Sequence, residues 1–283
     1  MRQTELKAAA QHLKRIMSKV EVERKFNPSS KFLSLFLRNG WVKQKAQSDK
    51  VDRNQERPLF NVLRKPDELI RDTYYDTRDH QLCQLGLWVR QRSTHALPPN
   101  PPQPKDHQTR KLAELGAKAE WNAKLLLGVG HFTNTQFVEI DGREKVSSEV
   151  QRITDAKTKL DDLQVVTDLQ TKRLSWEVTT LADGTAPSAT MTIVLDEVTE
   201  AQASGDGSDE SAFNHTVGEV ELFEELVTED KDDAGHQEHR NEVAARRMGE
   251  LKEFMLANAD LFVTSPKPVG KLTAYDVWRA SRS

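Results

Sequence analysis

The chain has 283 residues, of which 36% are hydrophobic and 30% charged, with a formal net charge of −3. That length suits one large domain, or one domain carrying insertions, and the near-balanced charge argues against general affinity for nucleic acid or for a membrane surface. A single cysteine, Cys83, excludes an internal disulfide framework and fits a reducing compartment, and no apolar run reaches the roughly 18 residues of a membrane-spanning helix.

Residues 1–19 set Arg2, Lys7, Lys14, Arg15 and Lys19 against one acid, Glu5. With Leu6, Leu13, Ile16 and Met17 as apolar positions, they read as an amphipathic surface helix ahead of the first strand. A mitochondrial presequence shares this composition and is the minority reading. Val20–Phe26 reads as a strand, stopped by the turn and helix-start signal Asn27-Pro28-Ser29-Ser30. Lys31–Arg38 is dense enough in Phe and Leu for a short packed helix, closed by Gly40. Val42–Pro58 is charged and reads as a surface insertion. Leu69–Asp76 is rich in β-formers; Leu85–Arg92 alternates, with Trp88, Arg90 and Arg92 on one face. Thr94–Gln108 contains Pro98, Pro99, Pro101, Pro102 and Pro104 and is expected to be extended, followed by a helical turn or two in Lys111–Ala119.

Further strands are predicted at Glu120–Leu127, Gln136–Ile140, Leu174–Leu181, Thr190–Val198 and Val217–Leu226. Ser147–Leu169 is polar and helix-like, and Ala201–Asn214 is an acidic, Gly/Ser-rich loop. His236–Asn258 reads as a long amphipathic helix with Val243, Met248, Leu251, Phe254 and Met255 as its inner stripe, with His236 and His239 at the surface. A last helix follows Gly270. Tyr74, Tyr75 and Asp76 are read as structural. Many strands with few Gly-rich crossovers imply a mostly antiparallel sheet with helices outside, and charges at alternate strand positions imply a barrel with a polar interior. The expected fold class is therefore α+β, built on an antiparallel β-barrel.

The chemistry lies in those alternating charges. Glu21, Glu23 and Lys25 share one strand face, as do Glu219 and Glu221. Carboxylates spaced this way repel at a separation of roughly 6–7 Å, and a hard divalent cation removes the repulsion. The acids Glu21, Glu23, Asp196, Glu219 and Glu221 form one candidate set; the bases Lys25, Arg90, Arg92, Lys124, Arg173 and Lys271 form the other. Arginines fork onto phosphate oxygens, so a site holding both sets suits a metal-bound polyphosphate. Spacing alone leaves open whether Lys172 or Arg173 points inward.

Val20-Glu21-Val22-Glu23-Arg24-Lys25-Phe26 resembles the ExExK opening of the CYTH, or triphosphate tunnel metalloenzyme, family. In order there follow Arg71-Asp72-Thr73-Tyr74-Tyr75-Asp76-Thr77, Trp88-Val89-Arg90-Gln91-Arg92, Trp121-Asn122-Ala123-Lys124, Thr171-Lys172-Arg173, Leu195-Asp196, Val217-Gly218-Glu219-Val220-Glu221 and Gly270-Lys271-Leu272. These are similar to the matching motifs of animal thiamine triphosphatases, from about residue 20 to 280. The resemblance implies a single catalytic domain over 20–283 behind a 1–19 extension, with insertions near 41–58, 94–119 and 200–214.

It also implies metal-dependent hydrolysis of thiamine triphosphate to thiamine diphosphate and phosphate. Glu21, Glu23, Asp196, Glu219 and Glu221 would bind Mg²⁺, with Mn²⁺ as the alternative. Lys25, Arg90 and Arg92 would be catalytic. Together with Lys124, Arg173, Glu219 and Lys271 they would hold the substrate, with Trp88 beside its organic part. Arg173 is the member of its pair that the resemblance selects. Hydrolysis of inorganic triphosphate, formation of cyclic AMP from ATP, and non-catalytic polyphosphate binding are the competing functions. The expected partner is a small-molecule triphosphate, with no nucleic acid and no membrane, and the protein is expected to be a cytoplasmic monomer.

Overall fold

Along β1 (Ile16–Pro28), Val20, Val22 and Phe26 alternate with Glu21, Glu23 and Lys25, and the two sets face opposite ways. The computed structural model describes residues 16–37, 60–97, 118–127, 134–180, 190–201, 212–228 and 233–282. Most of the expected N-terminal helix, the whole 41–58 insertion, and residues 98–117 and 202–211 of the other two lie outside the described residues. Residues 16–19, expected to close that helix, instead open β1.

The other barrel strands are β3 (Glu68–Asp76), β4 (Leu87–Ala96), β5 (Glu120–Leu126), β6 (Asn134–Asp141), β7 (Gln164–Thr180), β8 (Thr190–Glu200) and β9 (Asn214–Thr228). They run in the order β1-β6-β5-β4-β3-β7-β8-β9, and β9 pairs back onto β1. The result is a closed, antiparallel barrel of eight strands with helices packed outside. Two short strands lengthen it: β2 (Phe60–Arg64) pairs with the end of β7, and β10 (Phe262–Val263) with the end of β1.

Most of the apolar core sits outside the barrel, between its strands and the helices; a smaller cluster, in which Leu169, Val198 and Tyr74 meet Phe213 and Tyr275, lies on the inner face. Ser29 Oγ accepts a 3.0 Å hydrogen bond from the amide of Phe32 and so caps α1 (Ser30–Leu37). This sets Phe32 and Phe36 against Phe26 and Trp176. The long C-terminal helix α4 (Asp233–Ala257) lays Val243, Leu251, Phe254 and Met255 on the same core. Between them, α2 (Gln81–Gln84) and α3 (Arg143–Ile153) bury Leu82, Val146 and Val150 against Leu87 and Val89. The last helix, α5 (Lys271–Ala280), packs Tyr275 and Trp278 on Phe213. Among the described residues, no helix is long and apolar enough to cross a membrane.

Gly218 is required by packing. It pairs with Phe26 across β9 and β1, and a Cβ there would lie 2.2 Å from the Phe26 ring.

Three further expectations change. Ser147–Leu169 is helical only through Ile153; a strand begins at Gln164, where the β-branched run Val165-Val166-Thr167 favours extension. Thr94–Ala96, expected in the proline-rich insertion, complete β4. His236 is buried, at 3% exposure, because it lies seven residues before Val243 on the inner stripe of α4, whereas His239 is exposed.

Candidate functional site

Directly paired residues of antiparallel strands point to the same face, so the register places the inner wall. Glu23 faces Glu221, and Lys25 faces Glu219, across β1 and β9. Arg173 faces Asp196 across β7 and β8. Asp72 faces Arg92 and Tyr74 faces Arg90 across β3 and β4. Trp88 faces Lys124 across β4 and β5. Of the candidate acids and bases on the strands, all but Asp196 line a cavity of about 420 Å³ inside the barrel, a volume in the range of small-molecule sites; Asp196 shares the inner face through its pairing with Arg173. Lys271, at the start of α5, joins the lining from outside the sheet. Gly270 makes room for this approach: a Cβ there would come within 2.9 Å of Lys25 Cε.

One side of the cavity is acidic. Glu21, Glu23 and Glu221 are almost fully buried, at 1%, 4% and 4% exposure, and each places a carboxylate oxygen within 4.8 Å of the others. Burial pushes the Glu221 carboxyl up to about 8, with Glu21 and Glu219 adding to the rise and Arg173 opposing it. Burial likewise raises Glu21 against the pull of Lys124. Burial would raise Glu23 too, but Lys25 and Lys124 together hold it well below the usual carboxylate range. Lys124 Nζ pairs with Glu21 Oε2 at 2.5 Å. Three clustered, buried carboxylates fit a hard divalent cation of the Mg²⁺ or Mn²⁺ kind.

Asp196 and Glu219 are close by but differently engaged. Asp196 takes a two-pronged bond from Arg173, with both contacts at 2.7 Å, and Glu219 pairs with Lys25 at 3.1 Å. Arg173 also reaches to 3.9 Å from Glu221. Lys172 points outward and pairs with Glu197 at 3.3 Å, so Arg173 is the inward member of the pair. Lys25 also bonds Glu23, and Lys124 is 3.3 Å from Glu23.

The opposite side is cationic and centres on a residue absent from the candidate set, Asp72. Its side chain is fully buried. Arg92 donates to both of its oxygens at 2.7 Å, and Lys271 donates to Oδ2 at 2.9 Å. Arg90 Nε lies 3.8 Å from Oδ1 and makes no hydrogen bond there. Burial disfavours the Asp72 carboxylate, but Lys271, Arg90 and Arg92 outweigh it and hold the group well below its ordinary value. The signal for Asp72 was its place on one strand face with Ile70 and Tyr74, hidden because a lone acid in a strand has no metal-ligand partner nearby in sequence. Thr135, which donates to Glu23 at 3.2 Å, and Glu139, paired with Lys19 at 2.7 Å, were missed similarly.

Trp88 lines the cavity and meets Phe137 edge to face, with centroids 5.7 Å apart. Tyr74, read as structural, also lines it. Tyr75 and Asp76, read the same way, line it too; Asp76 in addition accepts from the amides of Leu82 and Cys83 at 2.9 and 3.0 Å and so orients α2.

No protein-family model and no curated protein matches the chain. Among solved structures, it aligns with a candidate adenylate cyclase from Bacillus halodurans at 14% identity and a TM-score of 0.38, covering 90% of this chain and 96% of that one. A candidate adenylyl cyclase from Hippeastrum, described as having a dominant triphosphatase activity, aligns at 11% identity and a TM-score of 0.36, covering 93% and 96%. The Schizosaccharomyces pombe Mediator head module aligns at 8% identity and a TM-score of 0.37, covering 85% and 95%. At such identities and scores these likenesses speak for no particular activity, so the functional reading rests on the side chains.

Proposed function

We propose that this barrel is a CYTH-type triphosphate tunnel that binds a linear triphosphate with a divalent cation and hydrolyses its terminal phosphoanhydride, with thiamine triphosphate as the substrate. One observation carries the reading: the charges inside the barrel are sorted. Glu21, Glu23 and Glu221 cluster on the β1/β9 side, while Arg90, Arg92 and Lys271 outnumber their shared acid, Asp72, on the β3/β4/α5 side. A fold has no use for buried carboxylates beside an excess of buried cations unless a ligand completes both. A polyanion with a hard cation does so.

In this reading Glu21, Glu23 and Glu221 hold the cation, which when bound polarises phosphate oxygens and offsets their charge. Asp196 and Glu219 stand beside it and fix Arg173 and Lys25. Arg90, Arg92 and Lys271 take the phosphate oxygens from one side, and Lys25, Lys124 and Arg173 from the other. Phosphoryl transfer depends chiefly on positioning and electrostatic stabilisation, which these groups supply without a covalent nucleophile. Trp88, next to Arg90 on the same wall, offers an aromatic face to the cationic thiazolium. A second reading, hydrolysis of inorganic triphosphate, draws on the packing of Trp88 against Phe137, which makes the indole part of the wall.

The test is turnover of thiamine triphosphate, inorganic triphosphate and ATP side by side with Mg²⁺ or Mn²⁺. Preference for thiamine triphosphate is expected. Equal or better use of inorganic triphosphate favours the second reading, and phosphate release from none of them ends the enzymatic reading.

A further inference from the structure

The geometry points to Asp72 as a positioning residue that sets the phosphate-gripping cations of β4 and α5; this rests on the triphosphate reading above. It is the only carboxylate among the described residues that Arg92 and Lys271 are seen to bond. Those two cations come from β4 and from α5, elements far apart in the sequence, and their shared anchor is buried on the inner face of β3.

The bonding has a direction. Arg92 spends Nε and one terminal nitrogen on Asp72, which fixes the guanidinium plane and leaves its remaining edge for a ligand. Lys271 shares Oδ2 with that same terminal nitrogen, so the first turn of α5 and the middle of β4 are held at one atom. Arg90, at 8% exposure, stands close enough for attraction but keeps its Nε unbonded. One negative charge thus orients two positive ones and attracts a third without neutralising them. A phosphate chain meets cations already oriented, with the reorganisation done before it arrives.

The role predicts a particular kinetic signature. Asp72→Asn removes a negative charge from beside an anion site, so ground-state attraction for a polyanion does not fall. The freed cations repel one another and lose fixed orientation, so transition-state stabilisation does fall. With inorganic triphosphate and Mg²⁺, kcat is expected to drop roughly 10- to 100-fold while KM stays within about threefold or decreases. Asp72→Glu, which keeps the charge but displaces it by one methylene, is expected to fall between the variant and the wild type. A merely structural role would lower the folded fraction and leave both parameters of the folded molecules unchanged, which thermal melts and active-site titration detect.

Two further measurements keep the test decisive. Calorimetric binding of inorganic triphosphate needs no turnover: affinity equal to or above wild type in Asp72→Asn supports the inference, and affinity weakened by more than about threefold overturns it. Should Asp72→Asn fail to fold, Asp72→Glu carries the same kcat-against-KM comparison, and a rise in KM at unchanged kcat overturns it. Wild-type protein that neither binds nor hydrolyses inorganic triphosphate or thiamine triphosphate sinks the function before any variant is made, and the inference with it; normal wild-type turnover with an unaltered Asp72→Asn sinks the inference alone.

Discussion

Glu21→Gln separates the cost of the acidic cluster from its purpose. The substitution preserves shape and removes one of three carboxylates whose oxygens lie within 4.8 Å of each other. A unit charge about 3 Å from a divalent ion at an effective dielectric near 20 is worth roughly 11 kcal/mol gross. Against this stands the Lys124 ion pair that must yield, about 5 kcal/mol at a charge separation near 3.5 Å on the same scale, and the amide oxygen or water that takes the empty ligand position, about 3 kcal/mol on the scale of a hydrogen bond to a charged group. About 3 kcal/mol remains, or a loss of affinity of order 150-fold. Wild-type protein at a Mn²⁺ concentration of about 100 Kd gains about 2.7 kcal/mol, which for a chain of this size raises Tm by about 5–10 °C. At the same concentration the variant is expected to gain under about 1 °C, and to lose about 100-fold in turnover.

The metal-free Tm gives the second half of that test. The Glu21 carboxyl is raised by burial even after the pull of Lys124 is included, so its charged form is disfavoured in the fold at neutral pH. A neutral glutamine removes that penalty, and the metal-free variant should melt at or above the wild-type temperature. Scanning fluorimetry with and without Mn²⁺ reads both quantities. An unchanged Mn²⁺ shift, or a metal-free variant that melts several degrees lower, refutes the reasoning.

Three further outcomes are expected. Trp88→Ala should lower kcat/KM for thiamine triphosphate by about tenfold more than for inorganic triphosphate, in line with a cation–π contact of about 1–2 kcal/mol; parallel losses in the two substrates reject the stacking role. Arg173→Met should reduce kcat/KM by at least about 100-fold, whereas Lys172→Met, which removes only an outward pair with Glu197, should change it by less than about twofold; reversed effects contradict the inward assignment. Asp72 has its folded carboxyl well below the ordinary value, so its ion pairs contribute stability above the unfolded pKa, near 3.8, and that contribution is lost as pH falls through the folded value. Urea titrations should therefore show Asp72→Asn costing about 3–5 kcal/mol at pH 7 and progressively less below pH 4; a pH-independent difference contradicts the assignment.

The sequence was legible where period-two alternation paired a charge with an apolar neighbour. Glu21, Glu23 and Lys25 against Val20, Val22 and Phe26 told both the strand and its inward face, and the same pattern served for Arg90, Arg92, Glu219 and Glu221. It failed where a segment was too short or its polarity uninformative. β2 has five residues and depends on β7 for its place. The start of β7 mixes Gln164 and Asp168 with β-branched residues, so its polarity resembled a helix surface. Asp72 escaped for a different reason: its meaning depends on Arg92, twenty residues on, and on Lys271, 199 residues on. Long-range charge pairing of that kind leaves no mark in local spacing. Gly218 is the converse case, since its motif position was visible but its reason, the ring of Phe26 filling the space of a Cβ, belongs to packing.

The barrel reverses the usual assignment of its two faces, and this explains the helices around it. Soluble barrels of this size commonly fill their interior with side chains. Here the interior holds mostly ion pairs and a cavity, with one small apolar cluster around Leu169 and Val198, so it contributes less hydrophobic stabilisation than the outer face, and the buried charges are retained at the expense of stability. The apolar face must then be the outer one. Val20, Val22, Val220 and Leu222 are buried there under α1 and α4, in a core that also takes Trp176 and Ile193. Two consequences follow from one alternation: the helices are needed to keep the outer face from water, and the inner face is free to be shaped for a ligand. Truncations that remove α4 would therefore unfold the barrel although that helix contributes no named charge to the cavity, whereas neutralising an inner acid such as Glu21 leaves the core untouched. Along β1, stability resides on one side of the strand and chemistry on the other, so substitutions at neighbouring positions, Val22 and Glu23 for example, should damage different properties of the same protein.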